Sequence, residues 1–290
     1  MQQWMSRLLR DLLATVLAFP VVVFGQTPDN LPGLIAFTST QDGHSSIYMM
    51  RANGSIPRRV TDGADPSFSP DGSKIVFVRG GDIYLANQNG ANITQLTHHG
   101  LGIIASSPVF NTKGDCIAFV TGPDVPNPLT SVRMINSDGS DECTLATMGS
   151  DPVFSPDGLN LVFARNDSLY TMSIKAMNRQ QYIPYLLYNF GPGTIVRYPS
   201  FTTFSNGVAY SLCPTNGTPV WSIVMLMSSQ NRTRSVMTNN AFQPAFSPDG
   251  HYFAFSRDGD IYIMSINGGT PIRLTSSIAD ETDPAWWAPR

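Results

Sequence analysis

Six aspartates recur at two fixed steps along this chain, and carboxylates in a repeating frame are the first residues to test for chemistry. Asp71, Asp157 and Asp249 each lie in the pentapeptide Phe-Ser-Pro-Asp-Gly, at Phe68–Gly72, Phe154–Gly158 and Phe246–Gly250. Asp65, Asp151 and Asp283 each immediately precede a proline. Converging carboxylates can serve general acid–base catalysis or hold a hard cation. For the first set the local sequence points elsewhere. Ser-Pro-Asp-Gly fits a type I turn: Ser first, Pro second with its fixed φ, Asp third, Gly fourth. The second set would ring a channel mouth if the repeat closes on itself, where it could hold a cation or a basic group of a partner. The alternative for these three is local: each accepts backbone hydrogen bonds where the chain turns inward.

Other chemistry is sparse. There is no G-x-S-x-G, no H-E-x-x-H, no Walker loop and no G-x-G-x-x-G followed by an acidic residue. The histidines are His44, His98, His99 and His251. His98 and His99 are the most suggestive pair, but neighbours on a strand point to opposite faces. Cys116, Cys143 and Cys213 are odd in number and lack metal spacing. Cys116 and Cys143 fall on strands separated by a third, about twice the ~4.8 Å strand spacing and beyond disulfide reach. Free thiols are expected. No catalytic residue, metal ligand or cofactor site is assigned.

What must position these residues is a repeat. A proline followed two residues later by an aromatic appears as Pro66/Phe68, Pro108/Phe110, Pro152/Phe154, Pro199/Phe201, Pro244/Phe246 and Pro284/Trp286, at intervals of 42, 44, 47, 45 and 40 residues. After each comes a short apolar strand ending in an aromatic, such as IVF at 75–77 and FAF at 253–255, then a second such as IYLA from 83 and IYIM from 261. An Asn/Gly/Ser turn leads to a last strand often closing in threonine, as in QLT at 95–97 and RLT at 273–275. Four short strands per unit of this length predict a propeller blade, here with strands A to D, A carrying the Pro-x-aromatic step. The chain begins at a B strand, Leu34–Thr38, and ends on an orphan A strand, Pro284–Ala288. Joining the two completes a sixth blade and removes the free edge. The expectation is an all-β, closed six-bladed propeller over 34–290.

This pattern, P-x-[FW]-S-P-D-G, then apolar-Ala-Phe, Ile-Tyr-x-Met, an Asn/Asp-Gly turn and Leu-Thr, resembles the WD-repeat-like blades of the TolB-type propeller family. The resemblance covers 34–290. It implies the fold firmly and the function weakly, because such blades serve many roles. TolB proteins carry an α/β domain ahead of the propeller, and none is expected here, since fewer than ten residues separate Gly25 from the first strand. The hydrolase domain that follows similar propellers in prolyl-oligopeptidase-type peptidases is not expected either.

Charged residues make up 13% of the chain and the net charge is −3, with no basic stripe. That argues against nucleic acid as a partner. Arg7 and Arg10 precede an apolar run from Leu12 to Phe24, the layout of a secretory signal peptide over 1–25, with 26–33 a linker. The run is short of the ~20 residues that span a bilayer, so an exported protein, not membrane-embedded after cleavage, is expected. Sequons occur at Asn53, Asn92, Asn166, Asn216 and Asn231.

Loop length distinguishes the two faces. The A–B and C–D turns read as uniformly tight, whereas the long insertions, Gly100–Ser107, Thr121–Ser131, Tyr185–Tyr198 and Pro214–Trp221, are D–A or B–C loops on the opposite face. Insertions on one side of a repeat ring mark a binding side. Its candidate contacts are Asp65, Asp151 and Asp283 with Tyr188, Phe190, Arg197, Trp221, His98 and His99. The leading expectation is a non-catalytic module binding a protein, peptide or cell-envelope component. The alternatives are a propeller lyase or glycan-active enzyme with carboxylates at the channel, and an interaction subunit of a larger hydrolase or transport assembly.

Overall fold

The computed structural model describes residues 31–124, 129–174, 183–202, 207–226 and 234–289. The signal peptide expected at 1–25, most of the 26–33 linker and the sequon at Asn231 lie outside them. Strands β1 (Leu34–Ser39), β2 (Ser46–Arg51) and β3 (Arg58–Asp62) belong to the first blade. The second holds β4 (Ala64–Phe68), β5 (Lys74–Arg79), β6 (Asp82–Asn87) and β7 (Thr94–Gln95). The third holds β8 (Ile103–Phe110), β9 (Cys116–Pro123), β10 (Ser131–Asn136) and β11 (Cys143–Thr147). The fourth holds β12 (Ser150–Phe154), β13 (Asn160–Arg165), β14 (Ser168–Ser173) and β15 (Tyr185–Asn189). The fifth holds β16 (Thr194–Phe201), β17 (Val208–Pro214), β18 (Ser222–Leu226) and β19 (Arg234–Asn239). The sixth holds β20 (Phe242–Phe246), β21 (Tyr252–Arg257), β22 (Asp260–Ser265) and β23 (Ile272–Arg273). The last strand, β24 (Glu281–Trp287), returns to the first blade, whose order is β24-β1-β2-β3. Leu34 pairs with Trp287 and Ile35 with Trp286, so the ring closes as the bookkeeping of its ends predicts.

The core lies between blades. Each B strand is covered on both faces, so its apolar residues run consecutively instead of alternating. Its closing aromatic is the largest side chain there: Phe37, Phe77, Phe119, Phe163, Tyr210 and Phe255 are among the largest fully buried residues. Truncating one such ring to alanine costs about 3–5 kcal/mol. The Ser-Pro-Asp-Gly segments are turns. The Gly72, Gly158 and Gly250 N–H groups donate to the carbonyls of Ser69, Ser155 and Ser247 at 2.8 Å. Asp71 Oδ1 accepts from Ser69 Oγ at 2.6 Å and Ser73 N at 3.0 Å, and these bonds, the Ser69 hydroxyl foremost, hold its carboxyl below the ordinary value. The three glycines have φ of +67° to +70°, a region that strains any side chain.

The blades alternate. Those with Ser-Pro-Asp-Gly, the second, fourth and sixth, also end strand B in Arg79, Arg165 or Arg257 and pass to strand C through a two-residue turn. The first, third and fifth carry the longer B–C connections, 40–45, 124–130 and 215–221. The ring is therefore three copies of a two-blade unit. In each copy the arginine guanidinium lies over two rings, for example 5.4 Å from Phe163 and 4.6 Å from Tyr170, and reaches back to the preceding D strand. Arg165 donates to the Thr147 carbonyl at 2.6 Å, and Arg257 to that of Asn239 at 2.6 Å.

Several expected loops are partly strand. Tyr185–Asn189 is the D strand of the fourth blade and Thr194–Phe201 the A strand of the fifth, so only 190–193 connect them. Strand β8 begins at Ile103 within the expected Gly100–Ser107 loop, and β9 runs on to Pro123. Apolar residues inside those segments extend the inner hairpin beyond the ring. The C–D connections are not uniformly tight either: β14 ends at Ser173 and β15 begins at Tyr185. Cys116, Cys143 and Cys213 are free thiols, with burial pushing that of Cys116 up to about 11. Among the described residues no helix is long and apolar enough to cross a membrane.

Candidate binding site at the channel mouth

The six A strands surround a central cavity of about 440 Å³. Every A strand slips register against its B strand at the same place, between Ala36 and Thr38 in the first blade and, for example, Ala64 and Ser67 in the second. The residue at each bulge is the one before the proline. Asp65, Ser107, Asp151, Tyr198, Gln243 and Asp283 all have left-handed backbones, φ +50° to +58°. A non-glycine residue there is uncommon, and the following proline disfavours the right-handed alternative. Six equivalent strained positions thus turn six side chains into one ring at the channel mouth. The aspartates sit within strands, not in the D–A loops where the sequence placed them.

Those side chains bridge the seams between blades. Asp65 N–H donates to Thr38 Oγ1 of the first blade at 3.1 Å, and Ser107 N–H donates to Asp65 Oδ2 at 2.9 Å. Ser107 Oγ donates to Asp151 Oδ1 at 3.3 Å. Arg197 of the fifth blade bonds Ser150 Oγ of the fourth and lies 3.8 Å from Asp151 Oδ2. Gln243 N–H donates to Ser211 Oγ at 3.1 Å. Asp283 N–H donates to Gln243 Oε1 at 3.0 Å, and Gln243 Nε2 bonds Asp283 Oδ1 in return. All six seams carry at least one of these bonds.

The electrostatics follow from enclosure. Burial raises the Asp151 carboxyl above its ordinary value, with Arg197 pulling the other way. Burial and then the neighbouring Asp65 carboxylate raise Asp283 well above it. Burial, and then the carboxylates of Asp151, Asp283 and Asp65, raise the Tyr198 phenol. A neighbouring carboxylate opposes ionisation, so Asp65 adds to burial in lifting the Asp283 carboxyl.

The remaining expected contacts disperse. Phe190 packs 4.7 Å from buried Tyr210 and Tyr188 lies 4.6 Å from Phe190, so both belong to the inter-blade core. The aromatic signal was read from a segment assigned to a loop; Tyr188 is strand, paired with Leu169, and Phe190 in the short connection packs against it. Trp221 ends a B–C loop, half-buried, its carbonyl accepting from Ala241 N–H at 3.2 Å. His98 is exposed, whereas the His99 ring lies between Asp82 (3.1 Å) and Glu142 (3.3 Å), the latter paired with Arg133 at 2.7 Å. The two histidines do not converge. Ser107, Tyr198 and Gln243 were missed; the residue before each strand-A proline was the signal that finds them.

Beside the mouth stands an apolar lip. Leu101, Ile103 and Ile104 are 107%, 46% and 41% exposed. Ile103 and Ile104 pair with Pro123 and Gly122, and across β9 from them the Met148 N–H donates to the Thr130 carbonyl at 2.6 Å, which sets exposed Met148 beside exposed Leu129.

A closed ring of six four-stranded blades with bulged inner strands defines a repeat-propeller class. Within it, a family model described as TolB beta propeller domain matches residues 27–185. The chain belongs to that family. It is 28% identical over 125 residues to the Tol-Pal system protein TolB of Francisella tularensis subsp. tularensis (strain WY96-3418), covering 39% of this chain and 28% of the relative. It is 46% identical over 50 residues to the protein TolB homolog of Chlorobium luteolum (strain DSM 273 / BCRC 81028 / 2530), covering 16% of this chain and 12% of that one. The chain thus aligns with less than a third of the length of these relatives. TolB from Acinetobacter baumannii superposes with a TM-score of 0.74 at 18% identity over 91% of this chain and 68% of that one. An oligogalacturonate lyase in complex with manganese superposes at 0.56 and 12% identity, over 83% and 73%. At these identities the superpositions show the fold.

Proposed function

We propose that the chain is an exported, non-catalytic propeller that binds a protein, peptide or cell-envelope component through its B–C and D–A face. The observation that carries this reading is the lip formed by Leu101, Ile103, Ile104, Leu129 and Met148. Exposed apolar side chains grouped beside a polar mouth are the mark of an interaction surface. Two further points support it. The apolar leader at 12–24 favours export, and the matched relatives are named for the Tol-Pal system. The ring carboxylates are engaged in seam bonds, which favours a scaffold over a catalytic pair.

The test compares cross-linking of cell-envelope extracts by the wild-type protein and by the double variant Leu101→Ser/Ile104→Ser. Both residues are exposed, so the variant keeps the parent melting temperature. Loss of the cross-linked species supports the lip as the contact. Identical recovery by a folded variant removes it, and turnover of an oligogalacturonate by the wild type would favour the enzyme reading instead.

A further inference from the structure

The acids of the channel mouth are unequally served. Asp151, nine-tenths buried, leaves Oδ2 without a hydrogen bond, but Arg197 Nη1 stands 3.8 Å from it as an internal cation. Among the described residues Asp65 and Asp283 have no lysine, arginine or histidine in ion-pair range. Their contacts are Ser107 N–H, Thr282 Oγ1, the Thr38 side chain and Gln243 Nε2, and the charge of Asp65 bears on Asp283. Below them the cavity wall is mixed: Val109, Val153, Ala245, Ala285 and Trp287 line it together with Ser67 and Ser200. Its volume of about 440 Å³ lies within the range of ~300–1,000 Å³ typical of small-molecule sites.

We infer that the Asp65–Asp283 side of the mouth binds an organic cation, a primary ammonium on an apolar stem, with the ammonium between the two carboxylates and the stem running down the channel. The chain supplies its own precedent, since Arg197 already places a cation against the third acid. A cavity with apolar side chains along its wall and a few convergent polar groups at one end is the general form of a ligand pocket. Removing water around the charges strengthens their attraction. Binding is linked to protons: burial and Asp65 raise the Asp283 carboxyl, an arriving ammonium favours its ionised form, and the proton displaced leaves to solvent. Inorganic cations lack the stem and gain nothing from the wall. The site is separate from the apolar lip and does not depend on it.

The test is isothermal titration calorimetry of the full chain with 4-phenylbutylamine, in phosphate and in MOPS at pH 7.5, against 4-phenylbutanoate as the control of matched stem. The amine is expected to bind with a Kd on the order of 0.1–1 mM, the range for a ligand of this size. The heat should differ between the two buffers in the sense of proton release. The butanoate should give no heat. Asp65→Asn and Asp283→Asn should each weaken the amine by ~10-fold or more and Asp283→Asn should abolish proton release. Leu101→Ser/Ile104→Ser should leave binding unchanged, which separates this site from the partner surface. If the Asn variants do not fold, proton release and the choice of amine over acid in the wild type still decide. Equal binding of the butanoate, amine binding unaltered in folded Asn variants, or heat from calcium chloride with none from the amine would each overturn the inference.

Discussion

The carboxylate of Asp65 in the second blade accepts the backbone N–H of Ser107 in the third at 2.9 Å, and both residues hold left-handed backbones before a proline. This bond joins two bulges rather than two ladders, and the same step recurs around the ring in altered chemistry. Removing the acceptor leaves the Ser107 N–H at a seam without its partner. Asp65→Ala should destabilise the protein by about 1–3 kcal/mol, the cost of a lost bond to a charged group. Asp65→Asn, which keeps an oxygen, should cost less. Chemical denaturation of both variants checks the order; equal losses would mean that the bond is not what Asp65 contributes.

Asp283 gives the pH dependence. Its carboxyl is raised well above the ordinary value by burial and by Asp65, so between that value and the shifted one the folded state holds a proton that the unfolded chain has released. Its contribution to stability is thus present at acid pH and is lost as pH rises through the folded value. Asp283→Asn removes the ionisation and keeps an acceptor for Gln243 Nε2. The variant should melt above wild type at pH 8, with the difference closing toward pH ~4, the usual carboxylate range. Asp151, raised in the same direction but opposed by Arg197, should show a smaller version. Melting curves from pH 4 to 8 read both.

Ring closure is the third test. Strand β24 pairs with β1 from Leu34–Trp287 to Ser39–Glu281, and the Trp286 and Trp287 indoles donate to the carbonyls of Pro32 and Pro70 at 3.0 and 3.2 Å. Deleting Asp283–Arg290 exposes an inner edge and opens two seams. Unfolding should become broad and begin well below the parent temperature in calorimetry. One transition at the parent temperature would refute closure by this strand.

The fold was legible because two signals agreed at every unit: proline two residues before an aromatic, and an apolar triplet ending in one. Strand boundaries were less so. Tyr185–Asn189 carries Tyr, Leu and Asn between a proline and Gly-Pro-Gly, and only pairing with β14 makes it a strand. The mouth was half legible. Aspartates were found because carboxylates were sought, whereas Ser107, Tyr198 and Gln243 share their geometry without sharing their chemistry. The bulge that aims all six comes from a register shift between strands, which no single strand records. The two-blade repeat stood in plain view, since Phe-Ser-Pro-Asp-Gly and the strand-ending arginine occupy the same alternate blades.

Those arginines supply the last prediction. Arg165 lies over Phe163 and Tyr170 and donates to the Thr147 carbonyl, so it binds the fourth blade to the third by its planar face and its edge at once. Lysine keeps the charge but neither the flat stacking surface nor the fork of donors. Arg165→Lys should therefore lose most of what Arg165→Ala loses, about 1–3 kcal/mol from a cation–π contact and one charged hydrogen bond. Arg257, which stands over Phe255 and Tyr262 and reaches the Asn239 carbonyl, should respond alike because it is the equivalent residue of the next two-blade unit. The two sites lie in different units and share no partner, so the double variant should show the sum of the single losses. Urea denaturation of the wild type, the single variants and the double variant measures this. A lysine variant as stable as wild type would reduce the arginine to a surface charge, and a double variant losing far more than the sum would show the seams to be coupled around the ring.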